Sequence, residues 1–184
     1  MTSHASPRPL PGSLGRVVLV VRVLCVLGVI ALVAVPFWFW LSPANVLALG
    51  PQMSGVSGSI AVDDHARALG AAVSLLPVGV GLYALWQLWN LFAEYGAGRV
   101  FGRGALARLQ RFAWALLAAA LLAPLVRAAM SVVLTLGNPP GQRQLVIGFS
   151  WDDYLSVLLA VVLIAIATVM AEAVRLAEEN EGFV

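Results

Sequence analysis

Hydrophobic positions along this chain do not alternate with polar ones in short cycles. They gather into four long runs, each wide enough to cover every face of a helix. A helix needs about 20 predominantly apolar residues to cross a hydrocarbon layer about 30 Å thick. The runs at about 17–41, 66–92, 106–136 and 154–176 meet that length. The first, VVLVVRVLCVLGVIALVAVPFWFWL, ends in the aromatic cluster Phe37–Trp40, of the kind that marks a membrane boundary. It exceeds the roughly 7–15 apolar residues of a cleaved signal peptide, so it reads as a retained span. Pro77, Gly79 and Gly81 interrupt the second run and Pro124 the third, which membrane helices tolerate when neighbours satisfy the freed carbonyls. The pattern predicts an all-α fold: an integral membrane bundle of four transmembrane helices. It divides into an N-terminal tail (1–16), one membrane domain (17–178) and a short C-terminal tail (179–184).

Between the runs, residues 42–65 and 137–153 read as loops rich in Pro and Gly. Within them GVSGSIAV and QLVIGFS alternate in the manner of strands, with Leu145, Ile147 and Phe149 on one face. The expectation is that these two pieces pair as a small cap.

Composition agrees with a membrane protein. Of 184 residues, 61% are apolar and 11% charged, with a mean hydropathy of +0.92, whereas soluble domains carry about 25% charged residues. A net charge of +2 is too small to imply direct nucleic-acid binding. All basic side chains are arginine, an expectation for a GC-rich bacterial genome. The single cysteine, Cys25, lies inside the first run and reads as a small buried residue.

Charge placement predicts orientation. Arg8, Arg16, Arg99, Arg103, Arg108, Arg111 and Arg175 fall on one side of a four-span chain, and only Arg67 and Arg143 on the other, beside Asp63–Asp64 and Asp152–Asp153. Arginines flanking spans are retained inside the cell, so both termini are expected in the cytoplasm and the protein in the cell inner (plasma) membrane. The glycines of GAGRVFGRG do not match GxGxxG, no strand precedes them, and no Lys-Ser/Thr follows, so a phosphate loop is not indicated. An interfacial turn is expected instead, with Val100 and Phe101 dipping into lipid.

Ionisable groups inside a span are functional candidates. Arg22 reads as a snorkelling anchor, and Glu172, Arg175, Glu178 and Glu179 as a ladder on a helix leaving the membrane. Arg127 is deeper. It follows Ala115, Ala119 and Ala123 at four-residue spacing, a stripe that lets helices approach closely, and a drift of about 40° per step places it beside that stripe. Such an arginine needs a partner, and Asp152 or Asp153 at the start of the fourth span offers one. Two roles follow: a structural ion pair, or a small-ligand or anion site at the outer mouth. His4 and His65 are too far apart for a metal site, and Asp63–Asp64–His65 reads as a solvated loop. No nucleophile–base pair stands out, so the chain is expected not to be an enzyme, and no cofactor or metal is called for.

The segment LFAEYGAGRVFGRGALARLQRFAWALL and the terminal AEAVRLAEENEGFV resemble the corresponding segments of the bacterial membrane family known as domain of unknown function 2975; Gly104 and Ala105 depart from a Glu-Asn pair frequent there. The resemblance implies a small four-span inner-membrane protein and, as a partner, a small helix-turn-helix regulator. It carries over no catalytic residue. The function expected is therefore regulatory or partner-binding, through Arg99, Arg103, Arg108 and Arg111 together with Glu178 and Glu179, with oligomerisation left open. The alternative is a component of a small-solute transporter or channel, motivated by Ser74, Gln87, Asn90, Arg127 and Thr168.

Overall fold

A computed structural model describes residues 12–58, 60, 62–99 and 102–181, and among them every regular element is a helix. Helix α1 spans Gly12–Leu41, α2 Pro43–Ser54, α3 Asp64–Gly96, α4 Arg103–Thr135 and α5 Trp151–Glu181. Helices α1, α3, α4 and α5 are long and apolar enough to cross a membrane, and the chain is a multi-pass membrane protein. They match the four hydrophobic runs and extend beyond most of their ends. At about 1.5 Å per residue, the 33 residues of α3 and of α4 exceed a hydrocarbon layer of about 30 Å, so their ends emerge from it.

Successive spans run antiparallel. One end of the molecule therefore carries the α3–α4 connection, the start of α1 and the close of α5: the Arg-rich end. The other carries α2 and the α4–α5 connection: the α2 end. The spans pack in series, α1 on α3, α3 on α4, α4 on α5, while α2 bridges α1 and α4. Among the described residues the backbones of α1 and α4 stay apart, and α5 packs on α4 alone. The arrangement is an open row rather than a closed ring.

Apolar burial gives little drive between helices surrounded by lipid, so contact depends on shape. Much of the row presents large apolar side chains outward, including Leu19, Leu24, Leu75, Leu125 and Val169. Small residues form the contacts: Ala113, Ala160 and Ala167 are fully buried. Gly81 admits Leu32 so closely that a Cβ would lie 2.9 Å from its methyl carbon. Cys25 is buried, as expected. Ala115 and Ala120 are buried too, whereas Ala119 and Ala123 face open clefts, so only part of the alanine face of α4 makes a tight contact.

The α2 end holds a cluster of large buried apolar side chains. Trp40, Val46 and Leu134 are buried together, with Phe39, Ile60, Val62, Ala71 and Met130 packed around them. The aromatic cluster is thus divided: Phe37 and Trp38 face outward, while the Trp40 indole lies across Gly70 and donates from Nε1 to Ser74 Oγ at 2.9 Å. Arg67 closes the end of α1, donating from Nη2 to the carbonyls of Trp40 (2.8 Å) and Leu41 (3.1 Å), which would otherwise lack intrahelical partners.

Two expectations about the loops need correction. Residues 43–54 are helical: Pro43 sits in the first turn, where its missing N–H costs nothing, and Gly55 ends the helix at φ +71°. The two alternating segments do meet, but not as strands among the described residues. Ser57 and Gln144 form a reciprocal link, the Gln144 side chain accepting from Ser57 N (3.2 Å) and donating to Ser57 O (2.7 Å). The backbone N–H groups of Gln144 and Val146 donate to Thr135 Oγ1 (3.1 Å) and Ser131 Oγ (2.9 Å). Hydroxyls on α4 replace a partner strand and leave Leu145, Ile147 and Phe149 outward on the other side.

Candidate functional site

The chain offers two places where charge and chemistry gather, one at each end of the row. At the α2 end, Arg127 of α4 reaches α5 and grips Asp153. Nη1 donates to Oδ2 at 3.1 Å and Nη2 to Oδ1 at 2.8 Å, a two-pronged bond that suits the planar guanidinium. Asp153 is 4% exposed, while Asp152 faces outward.

Local sequence decides between these neighbours. Ser150 precedes Asp153 by three positions, and the two cap α5 reciprocally: Ser150 N donates to Asp153 Oδ2 (2.7 Å) and Asp153 N to Ser150 Oγ (3.1 Å). The Asp153 carboxylate therefore caps the start of α5, sits where the helix dipole favours negative charge, and receives Arg127. Ser150 escaped the sequence reading. Its Ser-x-x-Asp spacing was the signal, half hidden because the capping acid here is Asp.

Arg127 also borders a chamber of about 480 Å³ lined by α1, α2, α3 and α4. Its walls are mostly apolar, among them Pro36, Phe39, Pro77 and Met130, with Ser54 and Ser74 as further polar neighbours. Both serine hydroxyls are engaged: Ser54 donates to Gly50 O (2.8 Å), and Ser74 donates to Gly70 O (2.9 Å) while accepting from Trp40. Asp153 borders a second cleft, about 270 Å³, between α4 and α5. The ion pair thus stands between two cavities that share Ala119 and Ala123 as walls.

At the Arg-rich end, four of the six expected surface residues take part in pairs or a near pair. Arg103 at the start of α4 bonds through Nε and Nη2 to the Glu178 carboxylate on the last turns of α5. Arg99 Nε donates to Glu94 Oε2 at 2.7 Å, across a turn in which Gly98 adopts φ +78°. Arg175 pairs with Glu172 and lies 3.9 Å from Glu179. Arg108 is half-buried and Arg111 exposed; neither lies within ion-pair distance of an acid among the described residues, though Arg108 acts on Glu94 from further off. Val100, Phe101 and residues 182–184, together with Arg8 and His4, lie outside the described residues.

The remaining candidates disperse. Arg22 stacks its guanidinium over the Trp89 ring of α3, 4.9 Å from the centroid, so an aromatic face anchors it. Asp63 caps α3 through Ala66 N (2.7 Å) and Asp64 pairs with Arg67 (3.1 Å), which commits both carboxylates beside His65 to structure. Of the polar residues in the spans, Ser74 and Arg127 border the chamber. Asn90 and Thr168 bond to carbonyls of their own helices, and Gln87 is buried with its Oε1 unpartnered among the described residues.

Residues 59–183 match a family model described as protein of unknown function DUF2975, which covers α3, α4 and α5 and more than half of the chain. No curated protein matches. No solved structure matches either.

Proposed function

We propose that this chain, which belongs to the DUF2975 family, is a regulatory, partner-binding protein of the cell inner (plasma) membrane and not an enzyme. Its two termini and the α3–α4 connection face the cytoplasm. That orientation is supported by the distribution of arginine: Arg16, Arg99, Arg103, Arg108, Arg111 and Arg175 stand at one end, against Arg67 and Arg143 at the other.

The observation that carries the reading is the state of the Arg-rich end. Arg103 is latched to Glu178 across two helices, while among the described residues Arg111 forms no ion pair and Arg108 acts on Glu94 only from beyond ion-pair distance. Cations left over next to an exposed, displaceable ion pair form a surface suited to an acidic face of a cytoplasmic protein, a small helix-turn-helix regulator being the partner expected. Because the Arg103–Glu178 pair is solvated, exchanging it for an intermolecular pair costs little.

Two measurements test this. A reporter fused after the C-terminus is expected to be active only in the cytoplasm; activity outside overturns the orientation. A photo-crosslinking residue at position 111 is expected to trap one defined cytoplasmic protein in living cells, and charge reversal at Arg108 is expected to abolish the adduct. An adduct that survives reversal, or none at all, overturns the docking surface.

A further inference from the structure

We infer that the chamber at the α2 end holds one bilayer phospholipid, with an acyl chain lying between α1 and α4 and the phosphodiester accepting N–H bonds from Arg127. Four observations converge on this. The first is the shape of the opening. Helix α3 backs the chamber and α2 roofs it, but the backbones of α1 and α4 stay apart, so the remaining side is open laterally. The rim residues Val35, Trp38 and Met53 are all well exposed. In a membrane-spanning row, what lies outside that gap is lipid, not water.

The second is lining and size. A chamber of about 480 Å³ with mostly apolar walls falls in the roughly 300–1,000 Å³ range of small-ligand sites. The third is depth. Arg127 lies about 12 Å along α4 from the midpoint of that helix, close to the half-thickness of about 15 Å at which hydrocarbon gives way to headgroups. Outward-facing Trp38, of the residue type that favours this boundary, borders the same chamber.

The fourth is chemistry. A guanidinium has five N–H donors, and Asp153 takes two of them. Three remain, on a side chain that borders the chamber, with no acceptor among the described residues. The Arg127–Asp153 pair is neutral as a unit, which suits a singly charged phosphodiester better than a free dianion. The ligand need not displace Asp153, so the pair that joins α4 to α5 stays intact when lipid is bound.

Native mass spectrometry of the full chain in mild detergent supplies the test, with phosphatidylglycerol as the probe and palmitate as the carboxylate control. The wild type is expected to keep one phosphatidylglycerol through detergent dilution. Val126→Trp fills the chamber beside Arg127, and at least roughly tenfold less lipid is expected to be retained, as for any pocket whose volume is taken. Val35→Trp, at the exposed rim, is a second obstruction that spares the packed interior and is expected to act in the same direction. Val169→Trp, on the outward face of α5, should retain lipid like the wild type. A graded ladder of adducts, retention of palmitate in place of phospholipid, or equal retention in V35W and the wild type overturns the inference.

Discussion

Gly70 and Trp40 fit only as a pair. A Cβ at position 70 would lie 2.0 Å from Cη2 of the indole and 2.6 Å from two of its neighbours, far inside contact distance. The indole therefore lies directly on the backbone of α3, and its Nε1 reaches Ser74 one turn further along. Gly70→Ala is expected to destabilise the protein by about 1–3 kcal/mol through overpacking. In the Gly70→Ala/Trp40→Leu double variant the two costs are expected to fall short of additivity by about 1 kcal/mol, because the clash is gone. Reversible unfolding in mixed micelles measures both.

Arg127 and Asp153 predict an asymmetric response. Arg127→Met leaves the secluded Asp153 carboxylate with Ser150 alone as its partner, and the unfolding midpoint is expected to drop by roughly 10 °C. Arg127→Met/Asp153→Asn removes the stranded charge while the amide oxygen still caps α5. At least half of the lost midpoint is expected to return, read by thermal melts of the two variants side by side.

The hydroxyls of α4 predict local effects. Ser131→Ala takes the acceptor from Val146 N–H, and Thr135→Ala takes the acceptor from Gln144 N–H. Each amide is expected to exchange with solvent deuterium up to roughly tenfold faster, with little change in the spans, since one hydrogen bond contributes about 0.5–1.5 kcal/mol. Residue-resolved exchange locates the effect.

The Arg103–Glu178 pair predicts almost nothing for stability. Both side chains are substantially exposed, at 82% and 42%, and such pairs are weak. Glu178→Gln is expected to shift the unfolding midpoint by less than about 2 °C. The same variant is expected to raise the yield of the crosslink at position 111, because it frees Arg103 for the partner.

The spans were legible in the sequence because hydrophobic length is a direct physical requirement of the bilayer. The existence of a partner for Arg127 was legible for a related reason: an intramembrane guanidinium without one is too costly. The choice of Asp153 over Asp152 was not, since it turns on the reciprocal cap with Ser150. Helix α2 was hidden by Pro43, Gly50 and Pro51, which read as loop residues although Pro43 stands where a helix accepts it. The alternation of Leu145, Ile147 and Phe149 was real but misattributed, for it reflects anchoring to Ser131 and Thr135 rather than pairing with another strand. The chamber could not be read from the chain at all, because it arises from two helices whose backbones stay apart.

The serial order of the spans gives the molecule a direction of dismantling. A tether pulling on the close of α5 works against a single neighbour, so that helix should peel away in one event while α1, α2, α3 and α4 keep every contact they make with one another. A tether on the start of α1 must strip two interfaces at once, with α3 and with α2, and rips open the roofed compartment in doing so. Mechanical wear would thus begin at the carboxyl edge and reach the lipid-facing vestibule last.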